Sequence, residues 1–403
     1  MRAIYFDKVI PKFLLVKALR GIWPGVVWSP LSPTRLDKFA EAPLPGDRWV
    51  RVKNRTCGIC ATDLSILFAN AAPSIGLAAL PGIDRVFLGH EVVSEVVEVG
   101  PGVTRFKSGE RVIMDLRFGG PHCLSQEITP LCAACERGDM SLCENQSARK
   151  GLQGEGGGWG DGYIAHESEL FLCPDDISDD QAALVEPMSI AIHAVLRSPP
   201  GMKDHVLVIG AGIIGLLTVQ AVRVVSPDCT ITVMAKYPHQ EEMARQCGAD
   251  DILDPSEGYA GVARRFGIDH YTAPLNKGML LGGFDMIFDC VGKANTIEDS
   301  LRWTRAEGSV VVVGINFEPM KLDLSPVWHQ EVNLIGSVNH GCDTWFGERR
   351  HTYDWVIQLL REGKFRADGL ITHRFPFEEY RKAIDIATSK ASSASIKVVF
   401  EYQ

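Results

Sequence analysis

Residues 205–215 read HVLVIGAGIIG, an apolar run that passes directly into a loop with glycine at positions 210, 212 and 215. The run predicts a buried strand over His205–Ile209, and the residues after the loop predict a helix over Ile213–Val225. In this setting the first glycine permits a tight turn, the second lets the backbone approach a pyrophosphate, and the third allows the helix to pack on the strand. The residues predicted to bind a dinucleotide are Gly210, Gly212, Ile213, Ile214 and Gly215. A glycine-rich bend in an ordinary α/β protein is the alternative interpretation.

Strand and helix patterns alternate after residue 201. The elements predicted there are the strands Thr230–Met234, Phe284–Asp289, Ser309–Val313, Val332–Val338 and Ile396–Phe400 and the helices Gln240–Cys247, Thr352–Glu362 and Pro376–Ser389. The alternation up to residue 338 is typical of a doubly wound parallel sheet, which places this part of the chain in the α/β class.

The N-terminal part has a different pattern. Short β-rich runs between Trp49 and Leu172 are broken by Gly and Pro, which predicts a mostly β domain that carries metal loops. Residues 11–47 are rich in proline and look irregular. We therefore expect a metal-binding catalytic domain over residues 1–189, a dinucleotide-binding domain over 190–337, and a return segment over 338–403 whose last strand joins the first domain.

The composition favours a cytoplasmic enzyme. The chain has 403 residues, of which 46% are hydrophobic and 23% charged, and its net charge of −9 argues against nucleic acid and anionic membranes as partners. The longest apolar run, Val206–Val219, is too short to cross a bilayer. No basic segment followed by an apolar stretch opens the chain, so we do not expect secretion. Eleven cysteines in such a chain indicate metal ligation in a reducing compartment rather than a disulfide framework.

Four cysteines lie close together in the N-terminal part. Cys132, Cys135 and Cys143 have the spacing C-x2-C-x7-C, and Cys123 lies nine residues before the first of them. This spacing suits a tetrahedral zinc site made of thiolates. Because four sulfurs leave no position for a substrate, the predicted zinc is structural.

A second group of potential ligands is incomplete. It consists of Cys60, His90, Glu91 and Glu186, and a thiolate, an imidazole and a carboxylate with one position left free are typical of a catalytic zinc. Each member has an ordinary alternative. Cys57 and Cys60 could form a redox pair, His90 could be a buried core histidine, and Glu186 could begin a helix, where the dipole favours a carboxylate.

The second strand of the α/β part bears on the choice of cofactor. An NAD-binding chain normally has Asp or Glu about 20 residues after the glycine loop, where it accepts hydrogen bonds from the ribose. Here the strand ends in Ala235-Lys236-Tyr237, without a carboxylate. Lys236 offers a cation for a 2′-phosphate and Tyr237 could flank the adenine, so we expect NADP(H) to be preferred over NAD(H). Alternatively, Lys236 is merely solvated. Val291 and Asn339 complete the predicted cofactor contacts.

Taken in order along the chain, these motifs resemble the zinc-dependent medium-chain dehydrogenase family. The motifs that carry the resemblance are Gly58–Asp63, Gly89-His90-Glu91, the cysteine group, Glu186-Pro187 and the glycine loop. The family pairs a Rossmann cofactor domain with a mostly β, GroES-like catalytic domain. Its zinc thiolate is the cysteine directly before x-[Ser/Thr]-Asp, which implies Cys60 rather than Cys57. The resemblance also implies that Thr62 hydrogen-bonds the zinc-bound alcohol and that Asp63 orients the zinc histidine.

The run from Glu186 to His193 is similar to polyol, threonine and glucose dehydrogenases. Ethanol-oxidising members carry a cysteine where this chain has Glu186. The resemblance does not decide whether Glu91 or Glu186 contacts the metal.

The sequence departs from the family pattern at three places. The first structural cysteine would be expected at Thr129, so Cys123 can replace it only if the residues between them loop out. Ser65 stands where many alcohol dehydrogenases have the histidine that ends the proton relay. Asn70–Arg85 is longer and more apolar than the usual loop before the zinc histidine.

The resemblance implies an NAD(P)-dependent oxidoreductase with two zinc ions per chain. It would transfer a hydride between the cofactor and a secondary alcohol, polyol or sugar hydroxyl, or the corresponding carbonyl. Thr62 would pass the hydroxyl proton outward, with Ser65 and the cofactor ribose as the next groups, or to water where the relay histidine is missing. We also expect a homodimer or homotetramer that pairs near Ser309–Val313. The alternatives are a non-catalytic zinc- and NADP-binding protein and a zinc-free carbonyl or quinone reductase of the same fold.

Overall fold

The computed structural model describes residues 1–72, 84–115, 120–146, 154–272, 274 and 278–403. These residues form two compact units. The first contains residues 1–186, 317–319 and 367–403, and the second contains residues 187–316 and 320–366. The chain therefore leaves the first unit and returns to it, as the sequence predicted for its last strand.

The strands and helices among the described residues have the following bounds. The strands are β1 (Arg2–Asp7), β2 (Thr34–Lys38), β3 (Trp49–Gly58), β4 (Arg85–Phe87), β5 (Val92–Val99), β6 (Arg111–Met114), β7 (Gly162–His166), β8 (Leu170–Leu172), β9 (His205–Ile209), β10 (Thr230–Met234), β11 (Asp251–Leu253), β12 (His270–Tyr271), β13 (Met279–Leu280), β14 (Phe284–Asp289), β15 (Thr304–Val312), β16 (Asn333–Gly336), β17 (Cys342–Trp345), β18 (Glu348–His351), β19 (Ile371–Pro376) and β20 (Lys397–Glu401). The helices are α1 (Ile10–Leu19), α2 (Ala61–Leu67), α3 (Ala133–Glu136), α4 (Asp179–Arg197), α5 (Ile213–Val225), α6 (Pro238–Gln246), α7 (Gly258–Phe266), α8 (Ala294–Trp303), α9 (Ser325–His329), α10 (Thr352–Arg361), α11 (Tyr380–Thr388) and α12 (Lys390–Ser393). Short 3-10 turns lie at Pro24–Trp28, Met140–Leu142, Glu167–Glu169, Pro255–Glu257 and Phe377–Glu379.

The second unit is built on a parallel six-stranded sheet. Its strand order is β11-β10-β9-β14-β15-β16. Numbered along the chain, this is the order 3-2-1-4-5-6 of a doubly wound dinucleotide-binding sheet, which confirms the predicted fold class. Its central strands are mostly apolar and buried, as expected where both faces of a parallel sheet are covered. The order reverses between β9 and β14, so a ligand is expected beyond the carboxyl ends of these two strands.

The first unit contains a seven-stranded sheet with the path β19-β20-β3-β5-β6-β8, in which β7 also pairs with β3. The C-terminal strand β20 pairs antiparallel with β3, and Val399 lies opposite Gly58. This pairing brings the last residues of the chain next to the end of β3, where the predicted metal-binding segment begins. The predicted mostly β, GroES-like domain is confirmed.

The prediction that residues 11–47 are irregular was wrong. They contain most of the helix α1, the Pro24–Trp28 turn and the strand β2, which joins β1 and β4 in a three-stranded sheet. Proline misled the interpretation: Pro11 lies in the first turn of α1, where the missing N–H costs nothing. Only Phe13 and Val16 of this helix are buried, so its apolar periodicity is short and weak in the sequence.

The compact units also differ from the predicted domain boundaries. Residues 338–366, which were predicted to belong to the return segment, lie in the second unit. Two contacts hold them there: Asp343 accepts a hydrogen bond from His193 Nδ1 at 2.6 Å, and the backbone N–H of Arg366 donates to Gln220 at 2.8 Å. The return to the first unit therefore begins at Ala367.

The strand predicted to form a subunit contact is also not at the edge of the sheet. Ser309–Val312 belong to β15, which lies between β14 and β16. The edge strand is β16, because no strand among the described residues pairs with its outer side.

Candidate functional site

The first group of predicted site residues lies where β3 ends and α2 begins. Cys60 is the N-cap residue of α2 and has an extended backbone. Thr62 and Asp63 follow in the first turn, where Thr62 is half-buried and Asp63 is buried. The short link between strand and helix therefore presents a thiol, a hydroxyl and a carboxylate within four consecutive residues.

Asp63 connects this turn to the predicted zinc histidine. One of its carboxylate oxygens accepts a hydrogen bond from the backbone N–H of Gly89 at 2.9 Å, and the other lies 3.3 Å from Nδ1 of His90. Burial alone would lower the pKa of His90, but Asp63 and Cys60 raise it well above its ordinary value. An imidazole held by a carboxylate at one nitrogen is the usual arrangement of a metal-binding histidine, with the other nitrogen left for the metal.

Glu91 has a partner that the sequence analysis missed. The ammonium of Lys397, on β20, donates to a Glu91 carboxylate oxygen and lies 3.4 Å from the carbonyl oxygen of Ile59. Both side chains are 1% exposed. Burial would lower the pKa of Lys397, but Glu91 raises it, so the lysine stays charged. Gly58 leaves room for this pair, since a Cβ there would meet the Glu91 carboxylate at 2.0 Å.

Glu186 lies in the interior of α4, and the interpretation of this residue as a helix N-terminus was wrong. Its carboxyl group is buried, and burial raises its pKa to about 7, although His90 and Lys397 act in the opposite direction. Glu91 adds to the effect of burial on this pKa, because two carboxylates repel one another when both are charged. A carboxyl group of this kind gains most from a cation that it can coordinate.

The donor atoms fit a metal ion. One ligand atom each of Cys60, His90 and Glu91 lies within 4.8 Å of the others, and Glu186 is not part of this group. Thiolate, imidazole and carboxylate donors suit zinc. The geometry therefore brings together three of the four residues predicted for the open metal site.

The four cysteines of the other predicted site also come together. Their sulfur atoms all lie within 4.8 Å of one another. Cys123 Sγ is 3.7 Å from Cys143 Sγ, and Cys143 Sγ is 3.9 Å from Cys132 Sγ. The residues between Cys123 and Thr129 do loop out, because the backbone N–H of Ile128 turns back to the carbonyl oxygen of Cys123. This turn brings the Cys123 sulfur into the group with the other three cysteines.

Backbone amides favour the thiolate of Cys132, whereas burial raises the pKa of Cys135 and Cys143. Cys132 is the N-cap of α3 and accepts a hydrogen bond from the N–H of Cys135 at 3.5 Å. Burial would raise the pKa of Cys132, but backbone donors from Cys135 and Glu144 outweigh it and bring the pKa to about 6. Four sulfurs in this arrangement fit a closed tetrahedral zinc site. All eleven cysteines of the chain are free of disulfide bonds.

The glycine loop lies at the switch point of the parallel sheet. Gly210 follows β9 with φ = 97°, and a Cβ there would approach Val291 Cγ2 to 2.7 Å. Gly212 is the N-cap of α5, and Ile213 and Ile214 form its first turn. Gly215 packs against the loop so closely that a Cβ would meet the Gly210 carbonyl oxygen at 1.7 Å. The fold thus explains all three glycines and leaves the helix amides for a pyrophosphate.

The end of β10 carries the residues predicted to choose the cofactor. Ala235 is 1% exposed and has no group that can accept a hydrogen bond from a ribose. Lys236 is exposed, with Nζ 5.5 Å from the centre of the Tyr237 ring. Tyr237 occupies the N-cap position of α6, and its ring stacks on His239 with ring centres 5.7 Å apart. A cation and a flat aromatic surface therefore lie side by side after the strand.

Val291 is held by a hydrogen bond, and Asn339 has a left-handed backbone. The N–H of Val291 donates to Asp289 at 2.8 Å, and Asp289 also accepts from Thr296 at 2.7 Å. The sequence analysis did not identify Asp289 as the residue that holds Val291. The available signal was its position at the end of the predicted strand Phe284–Asp289. Asn339 has φ = 50°, and its side-chain nitrogen has no hydrogen-bond partner among the described residues.

Two further predictions have mixed outcomes. The hydroxyl of Ser65 donates to the carbonyl oxygen of Ala61 at 2.9 Å, so the serine is tied to its own helix. The loop Asn70–Arg85 is described only in part, because residues 73–83 lie outside the described residues.

Comparison with known families agrees with this geometry. Residues 46–175 match the alcohol dehydrogenase GroES-like domain, and residues 214–362 match the zinc-binding dehydrogenase family. L-idonate 5-dehydrogenase of Vitis vinifera is 30% identical over 352 residues, which cover 87% of each chain. The chain belongs to the zinc-dependent medium-chain dehydrogenase family.

Other members of the family include sugar-alcohol and diol dehydrogenases. This dehydrogenase is 28% identical to the sorbitol dehydrogenase of Arabidopsis thaliana over 361 residues, covering 89% of this chain and 90% of the relative. The crystal structure of 2R,3R-butanediol dehydrogenase from Bacillus subtilis has a TM-score of 0.69 and 26% identity, and the match covers 91% of this chain and 96% of that one. A Sinorhizobium meliloti structure with bound NADP has a TM-score of 0.67 and 25% identity, covering 91% and 95% of the two chains.

No described helix of this dehydrogenase combines the length and the apolar character that a membrane crossing requires.

Proposed function

We propose that Cys60, His90 and Glu186 hold the catalytic zinc of this dehydrogenase and that Glu91 is kept beside it by Lys397. The enzyme is an NAD(P)-dependent oxidoreductase that acts on secondary alcohol or polyol hydroxyls. The single observation that carries the location of the site is the grouping of the Cys60 thiol, the His90 imidazole and the Glu91 carboxylate at the end of β3. Because Lys397 already neutralises Glu91, we assign the ligand role to the buried carboxyl group of Glu186.

The residues around the metal have separate tasks. Bound zinc supplies a Lewis acid that favours the ionised alcohol or polarises the carbonyl. Asp63 orients His90, and Thr62 accepts the proton of the substrate hydroxyl through hydrogen bonding. Ser65 lies three residues further along α2 and faces the same side as Thr62. For Ser65 to receive the proton that Thr62 passes on, its hydroxyl must turn away from the Ala61 carbonyl oxygen and release its own proton to solvent or to the cofactor ribose.

We propose that Cys123, Cys132, Cys135 and Cys143 bind a second zinc, so that each chain holds two. The support is the sulfur geometry and the lowered pKa of Cys132, which favours the thiolate. Four sulfur ligands leave no open position, so this ion would stabilise the fold without taking part in the reaction.

A panel of alcohols tests the proposed activity. We would supply sorbitol, L-idonate, arabinitol and 2,3-butanediol with NAD or NADP and record reduced cofactor by absorbance. Turnover of at least one of them, lost on metal removal and restored by zinc, is the expected result. Metal-independent turnover, or no turnover with any secondary alcohol, would contradict the proposal.

The proton path makes a specific prediction for Thr62. Thr62→Val keeps the shape but removes the hydroxyl, so turnover should fall by roughly 10²-fold or more, the scale of general acid–base catalysis. Thr62→Ser should keep most of the activity because it keeps the hydroxyl. Equal rates for the valine variant and the parent would place the relay elsewhere.

We further propose that NADP(H) is preferred over NAD(H). Ala235 cannot accept the ribose hydroxyls, and Lys236 places a cation next to it. One charge-assisted contact contributes about 1.5 to 3 kcal/mol, or roughly 10- to 150-fold in affinity. The NADP-bound relative from Sinorhizobium meliloti is compatible with this choice.

The cofactor preference can be reversed by two substitutions. Parent enzyme should show kcat/KM at least about tenfold higher with NADP than with NAD. Ala235→Asp combined with Lys236→Ala should invert this ratio, because the carboxylate repels the 2′-phosphate and accepts the ribose hydroxyls. Higher kcat/KM with NAD in the parent enzyme would show that Lys236 remains in solvent and that other groups hold the ribose.

We also propose a homo-oligomer that pairs through β16. This edge strand is exposed at Leu334, and the exposed side chains of Trp328 and Val338 are close to it along the chain. An unpaired strand edge with apolar side chains favours pairing with a second copy. The oligomer would be a dimer or tetramer in the cytoplasm.

A further inference from the structure

The helix α1 packs on the segment that follows the catalytic helix α2. It lies outside the stretches matched by the two family comparisons, which begin at residue 46. Its buried residues Phe13 and Val16 share a small apolar core with Ala69 and Ala71. Partly buried Ile66 of α2 packs against the same core. The helix α1 therefore supports the C-terminal end of α2, and the N-terminal end of α2 carries Cys60 and Thr62.

The segment after α2 has an unfavourable backbone conformation. Ala69 has φ = 52°, a left-handed conformation that costs a residue with a Cβ of order 1 kcal/mol or more, and its side chain is 1% exposed. Such a conformation persists only where the surrounding structure imposes it. Backbone hydrogen bonds at the end of α2 impose it, from the N–H of Ala69 to the Ile66 carbonyl oxygen at 3.1 Å and from the N–H of Asn70 to the Ser65 carbonyl oxygen at 2.8 Å. The helix α1 packs on the turn that results.

Two cations from the C-terminal half of α1 hold this turn. Lys17 Nζ donates to the carbonyl oxygen of Ala71 at 2.6 Å, and the guanidinium of Arg20 donates to the carbonyl oxygen of Phe68. Arg20 also contacts the side chain of Asn70. Both carbonyl groups flank the left-handed residue, so the two cations fix the turn from either side.

Lys17 also binds the short excursion at residues 317–319, which belongs to the first unit although the chain around it belongs to the second. Its ammonium lies 2.5 Å from a carboxylate oxygen of Glu318. The N–H of Ala72 donates to the carbonyl oxygen of Phe317 at 2.8 Å. The Lys17 side chain thus connects three parts of the sequence: the helix α1, the turn after α2 and residues 317–319.

We propose that Lys17 is a positioning residue for the reaction: it acts through the Phe68–Ala72 turn to hold α2 in the orientation in which Thr62 and Cys60 meet the substrate. This inference rests on the proposed function. The helix α2 has only seven residues, so a displacement of its end moves its first turn as well. Misplacement of a catalytic group by about 1 Å can reduce the rate by about 10²-fold.

The test compares Lys17→Met with Lys17→Arg and with Lys12→Met as the matched control. Lys12 lies on the same helix and, among the described residues, donates to the carbonyl oxygen of Pro30 at 3.2 Å, away from the turn. The substrate is the alcohol of the panel that is turned over fastest, with and without deuterium on its carbinol carbon. We expect Lys17→Met to lower kcat by about tenfold or more and to raise the deuterium isotope effect on kcat, because hydride transfer becomes slower relative to product release. NADPH affinity, measured by fluorescence titration, should not change.

The variants also separate positioning from stability. Lys17→Arg should recover most of kcat, and Lys12→Met should match the parent. Glu318→Gln removes the ion pair but keeps the Lys17 ammonium, and the Lys17→Met/Glu318→Gln double variant should be no slower than Lys17→Met alone. If Lys17→Met does not fold, Glu318→Gln carries the test and should still lower kcat.

Three outcomes would overturn the inference. The first is that folded Lys17→Met has an unchanged kcat and an unchanged isotope effect. The second is that Glu318→Gln has an unchanged kcat when Lys17→Met does not fold. The third is that Lys17→Met lowers the unfolding midpoint and changes nothing else. In each of these cases, turnover by the parent enzyme still supports the proposed function. An inactive parent enzyme would contradict both the proposed function and the role of Lys17.

Discussion

Cys60→Ala should leave a folded protein that has lost one zinc and almost all turnover. The thiol sits at the N-cap of α2 within 4.8 Å of His90 and Glu91 donor atoms, so its removal takes away one of the proposed zinc ligands. Polarisation by a metal contributes several kcal/mol, and each 1.36 kcal/mol is a factor of ten, so we expect a loss of roughly 10³-fold or more in kcat. Steady-state turnover, zinc analysis and circular dichroism measure the three parts of this result.

Two other cysteines provide the comparison for this prediction. Cys57→Ala, three residues away, should keep turnover and zinc content, because Cys57 is buried on β3 and its thiol donates to the Gly58 carbonyl oxygen. Cys135→Ser should instead lower the unfolding midpoint or solubility, since the binding energy of a structural zinc is partly folding energy. Fewer than about 1.5 zinc ions per parent chain, against the two that the closed and open sites require, would contradict the two-zinc proposal. Cys123 would then be the first ligand to doubt.

Lys397→Met should be the most destabilising single change near the site. It would leave the Glu91 carboxylate buried without its cation, and breaking a buried ion pair costs about 3–5 kcal/mol. Turnover should also fall, because an unpaired Glu91 can compete with substrate for the zinc. Urea unfolding measures the free energy, and kcat of the metal-loaded protein measures the second effect.

A double substitution distinguishes a lost ion pair from lost packing. Lys397→Met/Glu91→Gln removes both charges, so it should recover most of the unfolding free energy that Lys397→Met loses. Lys397→Arg keeps the charge in a larger group and should lie between the parent and Lys397→Met. If the double variant is as unstable as Lys397→Met, the lysine stabilises the fold through packing and not through Glu91.

The sequence by itself determined the fold class and the identity of most donor groups. The glycine loop predicts the strand before it and the helix after it because its glycines have local structural reasons. Gly210 has a positive φ, and Gly215 lies too close to the Gly210 carbonyl oxygen for a Cβ. The boundaries of β9 and α5 agree with the prediction for the same reason. Cysteine spacing likewise predicts the sulfur cluster, since three of its members are local in sequence.

Features that depend on contacts between distant residues could not be predicted. The helix α1 has only two buried residues, so its pattern is too short to recognise, and its role depends on Ala69 and Ala71 some fifty residues later. The edge of the parallel sheet also had to come from the structure, because β15 and β16 have similar apolar patterns and pairing alone sets their order.

The metal site shows the same division. Sequence identified Glu91 and Glu186 as candidate ligands but could not choose between them, because both follow familiar motifs. Our proposal that Glu186 is the ligand rests on Lys397, which lies 306 residues after Glu91 and is brought to it by the pairing of β20 with β3. A buried charge is tolerated only beside its partner, and tertiary structure alone decides which partner that is.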